Sequence, residues 1–226
     1  MRDLIRQLKT RLQDFNKEEA GFEPRSGRAA VAMMVREGIE ATEMLMIRRA
    51  TREGDPWSGH MGFPGTVKAT CTYSIAETDG HAALRVAFSA TTDAPTLVNF
   101  GHHSYFCLDD SRDIRKHHLR IDADRYLPTD ETALPAGEVA AVDGTGFDFR
   151  TSRPVEGAFD HNFCLADRRR EITRVAELVS PVSGLSMQLR TTEPGLQLYT
   201  GQGLAGGGSS HSGHGNSPFA GICLEP

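Results

Sequence analysis

Hydrophobic positions change their period along this chain. Near the start, Leu4, Leu8, Leu12 and Phe15 recur at spacings of four and three, with Arg, Lys, Gln and Asp between them. That period predicts an amphipathic helix over residues 3–15. Residues 29–36 and 43–48 are short apolar runs flanked by polar or glycine-bearing segments, and both read as strands. Gly54-Asp55-Pro56 and Pro64-Gly65 mark loops.

From residue 67 the pattern is that of strands. Val67–Ile75 and Leu84–Ala90 are joined by Thr78-Asp79-Gly80, and Asp-Gly between two apolar runs is a strong hairpin signal. Turn signals recur at Asp93-Ala94-Pro95, Asp143-Gly144, Glu156-Gly157 and Ser183-Gly184, with strand-length segments between them. No helical period follows residue 70. Many short strands with regular turns predict a mainly β protein, a sandwich behind a small α+β N-terminal segment. Residues 203–217 are rich in Gly, Ser and His without apolar anchors, and read as a mobile loop. A metal at His211 and His214 would need further ligands on a firmer scaffold.

Composition narrows the function classes. The chain has 226 residues, which suits one large β domain or two small ones. A net charge of −5 argues against nucleic acid or an acidic membrane surface as the main partner, because both select basic patches. The run Asp167-Arg168-Arg169-Arg170 reads as a solvated hairpin loop. Cys71, Cys107, Cys164 and Cys223 form no Cys-x-x-Cys pair, so buried, reduced thiols are expected. No apolar signal core and no membrane-length apolar run occur, and the expected location is cytoplasmic.

Five motifs then follow in order: Asn99-Phe100-Gly101-His102-His103-Ser104-Tyr105-Phe106, Ala123-Asp124-Arg125-Tyr126-Leu127-Pro128, Phe159-Asp160-His161-Asn162-Phe163, Thr192-Glu193-Pro194-Gly195-Leu196-Gln197-Leu198-Tyr199-Thr200-Gly201 and Cys223-Leu224-Glu225-Pro226. Over residues 64–226 this series resembles the aldose 1-epimerase (galactose mutarotase) family. The resemblance implies a galactose-mutarotase-like β-sandwich and interconversion of the anomers of a hexose, galactose or glucose. That reaction needs a base at the anomeric hydroxyl and an acid at the ring oxygen, with no metal or other cofactor. By the same resemblance His103 is the acid, Glu225 the base, and Asp160 and Gln197 bind sugar hydroxyls. Tyr105, Phe106, Phe163 and Tyr199 are expected to wall the cleft. His102 stands where the family carries Asn. The family's upstream Leu-His-Gly-Gly histidine is not found, and the sandwich is expected to be truncated at both ends. Weak or absent turnover is therefore expected, and a non-catalytic carbohydrate-binding or structural remnant is the alternative.

Residues 28–65 resemble the opening of a Nudix hydrolase of the coenzyme A diphosphatase type. Met44-Leu45-Met46-Ile47-Arg48-Arg49 and Asp55-Pro56-Trp57-Ser58-Gly59-His60-Met61-Gly62-Phe63-Pro64-Gly65 carry that resemblance. A Mg²⁺-dependent diphosphatase would need a carboxylate-rich helix just after Gly65, where Thr66-Val67-Lys68-Ala69-Thr70-Cys71 reads as a strand instead. The expected organisation is a chimera, residues 1–65 Nudix-like and residues 66–226 mutarotase-like.

Overall fold

The computed structural model describes residues 66–94, 98–131, 133–204 and 217–226, together with the backbone of two short strands before them. The expected helix at 3–15 and the histidines at 211 and 214 lie outside the described residues. By compactness the chain divides into residues 1–100 and 101–226. The change of sequence texture at residue 65 comes earlier than this division.

The first unit carries one antiparallel sheet in chain order. Its strands are β1 (Met34–Glu37), β2 (Thr42–Leu45), β3 (Val67–Thr78) and β4 (His81–Thr92). β3 and β4 pair over their full length, from Val67↔Thr92 to Thr78↔His81. Both run longer than their apolar segments predicted. The turn explains why register holds to the tip. Asp79 and Gly80 take φ of 53° and 76°, the left-handed pair whose twist matches that of the flanking strands.

The second unit is a two-layer sandwich. One layer contains β5 (Tyr105–Phe106), β7 (Arg125–Leu127), β8 (Ala140–Ala141), β10 (Asp160–Cys164), β13 (Gly195–Tyr199) and β14 (Ile222–Glu225). Their order across the sheet is β5-β14-β13-β10-β7-β8. The other layer holds β6 (His118–Ile121), β9 (Arg153–Pro154), β11 (Thr173–Val179) and β12 (Ser186–Thr191), ordered β12-β11-β6-β9. All pairings in the two layers are antiparallel. The helical content among the described residues is a 3₁₀ turn at Ile114–Lys116, capped by the Asp113 carboxylate on Arg115 N–H.

One core joins the layers. Leu119 and Ile121 of β6 and Ala176 and Leu178 of β11 meet Phe163, Leu196, Leu198, Ile222 and Leu224 of the six-stranded sheet. Side chains alternate across a strand, so burying Leu196, Leu198, Ile222 and Leu224 turns Gln197, Tyr199, Cys223 and Glu225 to the opposite face. The apolar pattern thereby fixes where the polar residues of the motifs point. The basic run is solvent-exposed as expected, but it is not a hairpin, because β10 and β11 belong to different sheets. It lies in the β10–β11 connection, with Arg169 on Glu193 and Asp167 on Arg125.

Candidate active site

Register gathers the predicted residues on the outer face of the six-stranded sheet. Gln197 lies opposite Glu225 across β13–β14, and Tyr199 lies opposite Cys223. Asp160 pairs with Tyr199 across β10–β13, and Cys223 pairs with Tyr105 across β14–β5. Neighbours of one parity share a face, so these six residues form a contiguous patch. His103 enters from the segment before β5.

Two contacts organise the patch. His103 Nε2 lies 3.4 Å from Glu225 Oε1, with the histidine side chain 52% exposed and the glutamate 15%. Gln197 Nε2 donates to Asp160 Oδ1 at 2.7 Å. That bond orients the amide and leaves its carbonyl oxygen to accept from a ligand hydroxyl. The rings of Tyr105 and Tyr199 stand 5.2 Å and 6.1 Å from the His103 ring, centre to centre, and flank it. His102 meets Ser104 Oγ through Nε2 at 3.0 Å.

Glycine allows two of the close approaches. A Cβ at Gly195 would meet Asn162 Oδ1 at 2.8 Å, and one at Gly221 would meet Tyr105 Cβ at 2.9 Å. Both distances are shorter than real Cβ contacts, so side chains there would displace Asn162 and Tyr105.

Burial sets the electrostatics. Loss of water pushes the Glu225 carboxyl above its ordinary value, and Asp160 adds to the rise while His103 opposes it. A carboxylate raised in this way is a stronger base than a free one. The Cys223 thiol is fully buried and is pushed up to about 12, first by burial and then by the charge of Glu225. It stays protonated at neutral pH. The Tyr105 hydroxyl is likewise pushed up to about 12, chiefly by burial.

The four residues singled out from sequence thus fall on one face. Two of the expected wall residues do not. Phe163 is fully buried in the core, and Phe106 pairs with Ile222 and packs against the same core. Each sits at the wrong strand parity, one position from a face-forming neighbour or three. Sequence reasoning also missed Cys223, which it took for an ordinary core thiol. Its Sγ lies 3.3 Å from His103 Nδ1. The signal was present, since Cys223 is two residues from Glu225 on one strand.

Metal-capable groups occur twice among the described residues. His103, Cys223 and Glu225 bring ligand atoms within 4.8 Å of one another, and so do Cys107, Asp109 and His117. In the second group His117 Nε2 already accepts from Leu108 N–H at 3.0 Å. In the first, the buried thiol would have to ionise before it could bind a metal, and burial opposes that. A polar hollow lined by Asp122–Arg125 and Cys164–Asp167 shares no residue with the site.

A sequence profile of the family described as aldose 1-epimerase matches residues 50–226. The chain belongs to the aldose 1-epimerase family. It is 40% identical over 179 residues to galactose mutarotase of Rattus norvegicus, covering 74% of this chain and 50% of that protein. Against aldose 1-epimerase of Escherichia coli (strain K12) it is 34% identical over 183 residues, covering 74% and 51%. The chain therefore spans about half the length of the curated relatives it matches. Among solved structures, an aldose epimerase homologue from C. elegans superposes with a TM-score of 0.67 at 25% identity, covering 86% of this chain and 58% of that one. Galactose 1-epimerase from Lactobacillus acidophilus NCFM gives 0.58 at 28% identity, covering 72% and 49%. The family match starts at residue 50, ahead of residue 64 where the motif resemblance begins. It therefore takes in the Asp55–Gly65 stretch on which the Nudix resemblance rested, and that resemblance gains no support.

Proposed function

We propose that the chain interconverts the α and β anomers of galactose or glucose. Glu225 removes the proton of the anomeric hydroxyl while His103 protonates the ring oxygen. The ring opens, the C1–C2 bond turns, and closure returns both protons with the roles reversed. Asp160 and Gln197 hold the hydroxyls that fix the sugar on the sheet face. One observation carries this reading: a carboxylate and an imidazole meet at 3.4 Å on the same face as a paired amide and carboxylate.

The chemistry favours these roles. An imidazole titrates near neutrality, so it can both give and take a proton within one cycle. Burial raises the affinity of Glu225 for a proton, as a base requires. The aromatic rings of Tyr105 and Tyr199 offer apolar flanks to the carbon face of a pyranose. A bound sugar has to part the His103–Glu225 pair and take its place between them. Weak or absent turnover is the expected outcome, because the second histidine that the family resemblance implies is not found in the sequence. The four free thiols accord with a cytoplasmic setting.

The test is polarimetric. Freshly dissolved α-galactose should reach its equilibrium rotation faster with the protein than without it, and His103→Ala should abolish the acceleration. Calorimetric titration with galactose, run beside it, separates a binding remnant from an enzyme. Heat of binding without acceleration selects the remnant, and a rate equal to that of the full-length relatives contradicts slow turnover.

A further inference from the structure

The outer sheet face gathers three kinds of side chain that bind metals. One ring nitrogen of His103, the Cys223 sulfur and one carboxylate oxygen of Glu225 lie within 4.8 Å of one another. The sulfur is 3.3 Å from His103 Nδ1. Ligand atoms around a tetrahedral zinc ion stand about 3.3–3.7 Å apart, as follows from bonds of about 2.0–2.3 Å. The set is therefore within about an ångström of closing on one ion. Strand register holds Cys223 and Glu225 on one face of β14. His103 comes from the segment before β5 with its side chain 52% exposed, so the ligand with room to adjust is the one that solvent reaches.

Chemistry selects the ion. Thiolate and imidazole are soft to borderline ligands, which favour zinc over magnesium or calcium. Three protein ligands leave a fourth position open to water, on the exposed side of His103. The buried sulfur must give up its proton. Burial and the charges of Glu225 and Asp160 oppose a bare thiolate there. A divalent cation arriving at the sulfur reverses that balance, because the same two carboxylates attract it and a coordinated thiol is deprotonated outright. The sulfur–metal bond forms as the S–H bond breaks, and the proton passes to solvent. The group of Cys107, Asp109 and His117 lacks this freedom, since His117 Nε2 already accepts from Leu108 N–H and Asp109 from the Ser180 hydroxyl.

We propose that His103, Cys223 and Glu225 bind a thiophilic divalent cation of the zinc kind, and that the bound ion shuts the site to the sugar. The ion takes the carboxylate and the imidazole lone pair that the proposed mutarotation uses, so base and acid are withdrawn together. Binding stands on the ligand set alone, whereas inhibition rests on the proposed reaction.

The test uses Co²⁺ as the probe, because cobalt occupies zinc sites and a cobalt–thiolate bond absorbs in the near ultraviolet. The metal-free full chain, titrated with Co²⁺, should develop that band and saturate at one ion per chain, and Zn²⁺ should then remove it. Cys223→Ser should lack the band and bind Zn²⁺ at least about tenfold more weakly, the loss that even an indirect partner of a metal causes. Cys107→Ser should keep the band. In polarimetry Zn²⁺ should stop the acceleration by the wild-type protein and a chelator should restore it. The metal-free Cys223→Ser protein should turn over within about twofold of wild type. Zn²⁺ binding without a cobalt–sulfur band belongs to exposed histidines and overturns the proposal. So does a band that survives Cys223→Ser, or acceleration that persists at full occupancy. Should Cys223→Ser fail to fold, the Co²⁺ titration of His103→Gln decides: a midpoint shifted about tenfold upholds the site, and an unchanged midpoint overturns it. Cobalt binding as expected in a chain that never accelerates mutarotation would sink the proposed reaction and leave the metal site in place.

Discussion

The second unit holds two trios of the same composition, each a histidine, a carboxylate and a cysteine. They have opposite fates. In the inner trio His117 is fully buried, its Nε2 accepts from Leu108 N–H, and burial lowers its affinity for a proton. Asp109 is committed as well, to Ser111 N–H and the Ser180 hydroxyl. Those bonds outweigh its burial and hold the carboxyl at about 2. His117 Nδ1 is buried without a hydrogen-bond partner, but the bonds made there all come from the protein, and the group ties the segment after β5 to the loop after β11. In the outer trio, Glu225 and His103 face each other with the histidine half exposed, and burial raises the carboxyl where the inner one is lowered. In the account proposed above, the same side chains serve structure where their bonds are made within the protein and transfer protons where one partner can be replaced by a ligand.

Substitution of the two histidines separates these fates most sharply. His103→Ala should reduce kcat for mutarotation by about 10²- to 10⁴-fold, the usual contribution of a general acid or base, with the thermal midpoint almost unchanged. His117→Ala should do the reverse. It leaves Leu108 N–H without an acceptor and opens a cavity, so urea denaturation should report a loss of about 2–4 kcal/mol, with kcat per folded molecule within a few-fold. Equal loss of stability in both variants would erase the distinction between the trios.

A smaller effect is expected where the outer face is proposed to hold the sugar without touching its protons. Gln197→Ala removes one proposed hydroxyl ligand and the bond to Asp160. KM for galactose should rise about tenfold, the worth of a single hydrogen bond, while kcat changes less. A fall in kcat at constant KM would instead assign Gln197 to the proton transfer.

The smallest effect concerns stability and pH. The folded Glu225 carboxyl binds its proton more tightly than the unfolded one, so its ionised form costs stability. That cost is absent below the ordinary glutamate value and grows as pH rises through the raised folded value. Glu225→Gln should therefore raise the thermal midpoint slightly at neutral pH, with no gain at acidic pH, while removing turnover. A lowered midpoint at neutral pH would mean that the His103 contact outweighs burial.

Much of this arrangement was legible in the sequence because strand parity is simple. Asp79-Gly80 announced the β3–β4 hairpin, and the family resemblance singled out Gln197 and Tyr199, whose shared face follows from the burial of Leu196 and Leu198. The same rule, applied strictly, excludes Phe163, which is an odd number of positions from Asp160, and Phe106, which adjoins Tyr105. Those two were misassigned because aromatic residues beside a motif look like walls, whichever way they point. Cys223 was misread for a related reason: a thiol can be buried at the core or beneath a site, and only register tells the two apart. The inner trio left no sequence signal, because its bonds run from Asp109 to Ser180 and from Leu108 to His117 through loops without a period.

The most direct measurement is a crystal structure of this protein with galactose. The account predicts the pyranose on the outer face of the six-stranded sheet, its ring oxygen at His103 Nε2, its anomeric hydroxyl at Glu225 and other hydroxyls on Asp160 and Gln197. Density for the sugar anywhere else, with His103 and Glu225 still in contact, would contradict it.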